Sequence, residues 1–333
     1  MKAFRIEGPE VAAMAEVPDI AVQAGEALLR VKMVGMCGTD LNTFRGRNAM
    51  VTFPRVPGHE VAAEVVEGGG ALAAGTLVTI SPYTSCGKCA SCRRGRVNAC
   101  QFNETMGVQR DGAMTEYISV PVEKLYAAKL SIKELCLVEP LTVGFHAAAR
   151  GRVSAEDTVA VFGCGGVGLG AIASAAFRGA ETIAIDMDDA KLEIARKAGA
   201  KHLIHSKNED LHERLSAITD GHGPDVMIEA IGLPQTFRAA VEEVSFTGRV
   251  VYIGYAKELV AYETRLFVQK ELDVMGSRNA LPEDFREVIR MLEAGQFPVE
   301  DAVSAVVPLA EAARLLGEWS AAPAKFTKIM VEI

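Results

Sequence analysis

Seven cysteines are spread unevenly along the 333 residues, and four of them fall within one fifteen-residue stretch. Cys86, Cys89, Cys92 and Cys100 form C-x2-C-x2-C-x7-C. Four thiolates in one loop can surround a zinc ion tetrahedrally and leave no position open, so such a site staples the chain and performs no chemistry. Gly87 and Gly95 allow tight turns between them, and Lys88, Arg93, Arg94 and Arg96 offset the negative charge of a four-thiolate zinc site. Disulfides are the reading for a small exported protein. In a chain of this length without an apolar leader, metal binding is the better one. An iron–sulfur cluster is disfavoured, because nothing else in the chain points to electron transfer.

A second group of metal-ligand types is scattered. Gly35-Met36-Cys37-Gly38-Thr39-Asp40 places a thiol two residues from a hydroxyl, Gly58-His59-Glu60 an imidazole beside a carboxylate, and Val138-Glu139-Pro140-Leu141 a carboxylate before a helix-breaking proline. None is specific alone. Pooled, Cys37, His59, Glu60 and Glu139 supply one sulfur, one nitrogen and one or two oxygens, a three- or four-ligand zinc site with room for water or substrate.

Gly163-Cys164-Gly165-Gly166-Val167-Gly168 is G-x-G-x-x-G, preceded by the β-branched run Thr158–Phe162 and followed by an alanine-rich helical stretch to Arg178. That context makes it a dinucleotide-binding turn, with the pyrophosphate at the helix N-terminus. Asp186 ends the next apolar run, 18 residues past Gly168. A carboxylate there accepts hydrogen bonds from ribose hydroxyls and repels a 2′-phosphate, which favours NAD over NADP. Lys191 is within reach of the same ribose.

The elements that must hold these residues follow from texture. Residues 1 to about 150 are rich in Gly, Pro and Val in short runs, the pattern of an irregular β domain. From about 151 to 278 short apolar runs (Thr158–Phe162, Thr182–Ile185, Val226–Ile228, Arg249–Ile253, Leu272–Met275) alternate with helical stretches, which implies a parallel doubly wound sheet of an α/β fold. Pro282–Glu293 reads as a helix and Lys328–Val331 as a strand. The formal charge of −8 without a basic stripe argues against a nucleic-acid partner. No stretch is long and apolar enough for a membrane span, and Met1–Glu10 carries no signal core, so the expectation is a cytoplasmic protein.

These motifs, in this order, resemble the zinc-dependent medium-chain dehydrogenases from end to end. A carboxylate at Glu139, where simple alcohol dehydrogenases carry cysteine, resembles the polyol branch: sorbitol, galactitol, threonine and sugar-acid dehydrogenases. Gly107–Gly112, Glu116–Pro121 and Gly276–Phe285 are most similar to the hexonate dehydrogenases. The resemblance implies a GroES-like catalytic domain, residues 1–149 plus 279–333, with a structural zinc lobe at about 84–102. It pairs this with a Rossmann NAD-binding domain at 150–278, the active site lying between the two. It implies two zinc ions per chain, the catalytic one on Cys37, His59, Glu60 and Glu139. Thr39 would accept the substrate proton, Asp40 would orient His59 or the cysteine turn, and Lys328 would lie near the pyrophosphate. The implied reaction moves a hydride from a secondary hydroxyl of a polyol or sugar acid, such as galactonate, gulonate or idonate, to NAD. L-threonine or a simple alcohol is the rival substrate, and a non-catalytic nucleotide-binding relative the rival of another class. A homodimer or homotetramer is implied, often built through the last strand of the nucleotide domain near Leu272–Met275.

Three positions depart from the family pattern. Asn42 stands where many relatives carry the histidine that completes a proton relay. Ala63 stands where glycine is usual, and Leu72 where a smaller residue is. Every ligand remains, so these departures imply local backbone adjustment and a different proton path. His202, His205, His212 and His222 read as surface residues in polar helix or loop, His146 as helix packing, and Cys136 and Cys164 as small buried apolar residues. Arg110, Arg278 and Asn279 are weaker candidates for a substrate carboxylate.

Overall fold

The computed structural model describes residues 1–333. Its strands are β1 (Lys2–Gly8), β2 (Val11–Glu16), β3 (Glu26–Met36), β4 (Glu60–Glu67), β5 (Leu77–Ile80), β6 (Tyr117–Pro121), β7 (Leu125–Ala127), β8 (Thr158–Phe162), β9 (Glu181–Asp186), β10 (His202–His205), β11 (Val226–Glu229), β12 (Arg249–Tyr252), β13 (Asp273–Gly276), β14 (Ala305–Pro308) and β15 (Ile329–Glu332). Its helices are α1 (Gly38–Phe44), α2 (Ile132–Arg150), α3 (Gly166–Phe177), α4 (Asp189–Lys197), α5 (Leu211–Ile218), α6 (Pro234–Glu243), α7 (Arg265–Gln269), α8 (Pro282–Glu293), α9 (Val299–Ala302) and α10 (Ala312–Ala321). No helix is long and apolar enough to cross a membrane.

The chain divides into two compact units, Met1–Glu139 with Val299–Ile333, and Pro140–Pro298. The first is built on a seven-stranded sheet ordered β14-β15-β3-β4-β5-β7, with β6 also on β3 and a separate β1–β2 hairpin. Strand β3 is central because its alternating residues Ala27, Leu29, Val31 and Met33 are at most 4% exposed. Ala27, Leu29 and Val31 join Phe4, Ile6, Val65, Ile80, Leu316 and Trp319 in one core. The second unit is a six-stranded, all-parallel sheet ordered β10-β9-β8-β11-β12-β13. Its central strands β8 and β11 are near-continuous apolar runs, as strands covered on both faces must be. Strand order reverses between β8 and β11, the topological switch point at which such sheets bind dinucleotides.

The breaks differ from those expected at 149/150 and 278/279. The first falls at Glu139/Pro140, inside α2, and the second after α8. Helix α8 belongs to the second unit because it is fastened there: the His146 imidazole pairs with Asp284 at 2.7 Å, both nearly fully buried, and Arg178 pairs with Glu287. Pro140 does not end its helix. Leu135, Leu137, Val138, Leu141 and Phe145 are each at most 3% exposed. At 1.5–3 kcal/mol per buried side chain, their burial outweighs the roughly 3 kcal/mol cost of an internal proline. His202 and His205 lie on β10, not in helix or loop, and His202 Nε2 sits 2.6 Å from Glu181 on the neighbouring strand β9.

Candidate functional site

Three of the ligand-type residues of the first unit, Cys37, His59 and Glu60, stand at or beside the end of an element. Cys37 follows β3 and caps α1, where its backbone N–H donates to Asp40 Oδ2 at 2.9 Å. Asp40 therefore shapes the cysteine turn. Glu60 opens β4, antiparallel to β3, with His59 just before it and Gly35 facing Glu60. A Cβ on Gly35 would lie 2.0 Å from Glu60 Oε2, so only glycine leaves space for that carboxylate. The Cys37 sulfur, a His59 nitrogen and a Glu60 oxygen lie within 4.8 Å of one another. Thr39 Oγ1 is 3.7 Å from Cys37 Sγ.

Glu139 lies outside that trio but close enough to act on His59 by charge. The Tyr83 hydroxyl donates to its Oε1, and Tyr83 and Glu139 are 6% and 3% exposed. Sequence reasoning missed Tyr83: it precedes the cysteine lobe by three residues, and nothing in its spacing signals a partner 56 residues away.

Lys328, which the resemblance places near the pyrophosphate, has a partner within the chain: its ammonium donates to both Glu60 oxygens at 2.6 Å and approaches Met36 O at 3.4 Å. Sheet order is the reason. β15 and β4 flank β3, so a residue just before β15 and one at the start of β4 meet across the end of β3, over the bare Gly35.

Burial and charge oppose each other throughout this cluster. Burial disfavours a charged His59, but the Cys37 thiol, with Asp40 and Glu139, holds the imidazole well above its usual range. Burial likewise disfavours a charged Lys328, and Glu60 more than offsets it, raising the ammonium. Burial raises Glu139 and Asp40, and it raises the Tyr83 phenol further with Glu139 beside it. His59 Nδ1 is buried without a hydrogen-bond partner. Sulfur, imidazole and carboxylate donors packed this closely, with no protein fourth among them, fit a cation with one open position.

The four cysteines of the lobe converge as the spacing implied: their sulfurs form a second mutual set within 4.8 Å, and all are free thiols. Backbone N–H groups of Cys86, Cys89 and Phe102 point at sulfurs at 3.3 Å. Hydrogen bonding from Ser91 and the backbone lowers Cys89 to about 5, while burial pushes Cys92 up to about 11. The set fits a closed four-thiolate metal site.

In the second unit, Gly163 takes φ +94 between β8 and the turn, and a Cβ on Gly168 would lie 1.8 Å from Gly163 O. A Cβ on Gly165 would meet nothing within 4 Å, so open space lies where a phosphate would approach the N-terminus of α3. Gly166, Val167 and Gly168 form that first turn. Asp186 ends β9, with Oδ2 accepting from the Cys164 N–H at 2.7 Å and Oδ1 from its neighbour Met187. Lys191 is half-buried in the first turn of α4, which Asp188 caps. This cradle fits a dinucleotide.

Arg110 is half-buried with its guanidinium on the carbonyls of Glu104 and Pro82, and Arg278 is exposed. His212 and His222 are exposed, and Cys136 and Cys164 are buried.

Comparison with known proteins agrees with this architecture. Residues 23–130 match the alcohol dehydrogenase GroES-like domain and residues 166–294 the zinc-binding dehydrogenase domain. The chain is 34% identical to L-galactonate-5-dehydrogenase of Escherichia coli K12, covering 83% of this chain and 82% of that one. It is 36% identical to sorbitol dehydrogenase of Bacillus subtilis, covering 78% and 76%. A crystal structure described as a short chain alcohol dehydrogenase of E. coli CFT073, complexed with NADH, superposes with TM-score 0.92 over 100% of this chain and 99% of that one, at 27% identity. The chain belongs to the zinc-dependent medium-chain dehydrogenases, in the polyol-dehydrogenase-like branch, enzymes that oxidise CH–OH groups with a nicotinamide cofactor.

Proposed function

We propose that this enzyme oxidises a secondary hydroxyl of a polyol or sugar acid, a hexonate first among them, with NAD, on a zinc held by Cys37, His59 and Glu60. The observation that carries this reading is the convergence of those three donors within 4.8 Å, beside a carboxylate, Glu139, that stands just outside the set. Glu139, aimed by Tyr83, reaches a metal directly or through water. Cys86, Cys89, Cys92 and Cys100 hold a second, structural zinc. Gly163, Gly165, Gly166, Val167 and Gly168 receive the pyrophosphate, and Asp186, with Lys191 beside it, receives the adenosine ribose.

A zinc held there would supply Lewis acidity toward a substrate hydroxyl, and a bound nicotinamide would be the hydride acceptor. The chain supplies the rest. Thr39 stands two residues from the ligand sulfur and accepts the hydroxyl proton. Asn42, one helical turn further along α1, has no lone-pair base at neutral pH, so the proton leaves through water or a substrate or cofactor hydroxyl. Lys328 neutralises Glu60 and limits the negative charge around the metal. Alcohol plus NAD+ then gives carbonyl, NADH and one proton.

Similarity to L-galactonate-5-dehydrogenase supports the sugar-acid reading, and similarity to sorbitol dehydrogenase the wider polyol one. The test is a panel of hexonates, hexitols, simple alcohols and L-threonine with NAD, followed by NADH absorbance. Turnover only of threonine or simple alcohols would overturn it, and no turnover of any with two zinc bound would favour a non-catalytic role. We further infer a homodimer or homotetramer through the edge strand β13, which ends the sheet and exposes Val274 by 43%. Light scattering on the intact protein tests it, and a monomer would refute it.

A further inference from the structure

Glu229 ends β11, beside the switch point of the parallel sheet, and is 0% exposed. Its Oε1 accepts from the Ile231 N–H at 2.9 Å, the Gly232 N–H at 2.7 Å and the Thr236 hydroxyl at 2.8 Å. Its Oε2 has no partner. That oxygen is sealed beneath Gly254, where a Cβ would come within 2.4 Å of it. A buried carboxylate with one bare oxygen costs free energy that an apolar residue of similar size would not. Folding alone does not explain it.

What the carboxylate holds is the turn after β11, and that turn lies against the glycine motif. A Cβ on Gly163 would meet Ile231 Cγ1 at 2.8 Å, and one on Gly168 would meet Ala230 Cβ at 3.8 Å. Beyond the contact, Ile231 and Leu233 are 43% and 44% exposed. They form an apolar ledge at the carboxyl end of the sheet, the side on which open parallel sheets bind their ligands.

We propose that Glu229 is a positioning residue for the nicotinamide dinucleotide: it pins the 230–232 turn so that Ile231 forms a fixed wall beside the phosphate-binding glycines. Without it the turn moves, and the cofactor must order the turn again on binding. All three donors converge on one oxygen, so an amide carbonyl can replace the carboxylate there.

The test is calorimetric titration of the full-length, zinc-replete protein with NADH, alongside thermal unfolding. No substrate is involved, so failure of the sugar-acid reading leaves the result unaffected. Glu229→Gln should bind NADH within about three-fold of the wild type, because the carbonyl keeps the acceptor. Glu229→Ala should weaken NADH by roughly 10- to 30-fold, the size of losing a charge-assisted hydrogen-bond set. Thr236→Val, which removes one donor, should weaken it by about three- to five-fold. The proposal is overturned if Glu229→Ala lowers only the melting temperature, or if Glu229→Gln loses as much affinity as the alanine variant. Should Glu229→Ala fail to fold, Thr236→Val decides, and unchanged NADH affinity there overturns the proposal as well.

Discussion

Removing the Lys328 ammonium should destabilise the first unit strongly, and more so without metal. Lys328 and Glu60 are 7% and 1% exposed at the side chain, and the ammonium is 2.6 Å from both oxygens. At that separation the attraction is about 6 kcal/mol at an effective dielectric near 20. Truncating one member of a buried pair typically costs about 3–5 kcal/mol, because the survivor is left charged and unpaired. Lys328→Met keeps the bulk of the stem and removes only the charge, so about 3–5 kcal/mol is the loss expected in protein stripped of zinc by chelation. Zinc beside Glu60 supplies a replacement positive charge, so the zinc-replete variant should lose roughly half as much. Adding Glu60→Gln to Lys328→Met removes the stranded anion and should return about 2 kcal/mol. The assay is built into the molecule. Trp319, the single tryptophan, belongs to the core of this unit, so its fluorescence during urea unfolding reports this unit alone. A loss below about 1 kcal/mol in zinc-free Lys328→Met, or a double variant no more stable than the single one, would refute the buried-pair reasoning.

Metal analysis should find two zinc ions per wild-type chain, about one in Cys37→Ser and about one in Cys92→Ser if the latter folds; two in both variants would exclude the assigned ligand sets. Asp186→Ser should narrow the preference for NAD over NADP by about ten-fold or more, since it removes the repulsion of a 2′-phosphate and an acceptor for the ribose. An unchanged ratio of kcat/KM values would place selectivity elsewhere. Asp157 is lowered despite its burial, because the Arg249 guanidinium and the Ser154 N–H favour its charged form. A depressed folded-state pKa contributes stability above the unfolded value near 4 and loses it as pH falls through the folded one. Asp157→Asn should therefore cost about 1–3 kcal/mol at neutral pH, with the deficit in melting temperature shrinking below about pH 4. A deficit constant down to pH 2.5 would contradict that sign. Asn42→His should change the pH dependence of turnover with the preferred substrate, and an identical profile would count against a relay at that position.

What could be read from the sequence divides along a physical line. The cysteine lobe and the glycine turn are local: their ligands lie within fifteen and six residues, so chain geometry alone brings them together, and the flanking apolar runs fix strand and helix. β8 and α8 begin and end where pattern and caps put them. The candidate metal cluster is not local. Residue types pointed to Cys37, His59 and Glu60, but their arrangement depends on β3 lying between β15 and β4, an order that no short-range signal encodes. For the same reason the Lys328–Glu60 pair was not foreseen: the position of Lys328 beside the last strand was legible, but the carboxylate across the sheet was not. Glu229 and Tyr83 escaped altogether, because a single acid at a strand end and a tyrosine before a cysteine loop look ordinary until the folded chain shows which backbone and which ligand they hold. Gly35 joins the two levels. In sequence it is one glycine among 31. In the fold, a single methyl group there would displace Glu60 from both the candidate metal site and Lys328.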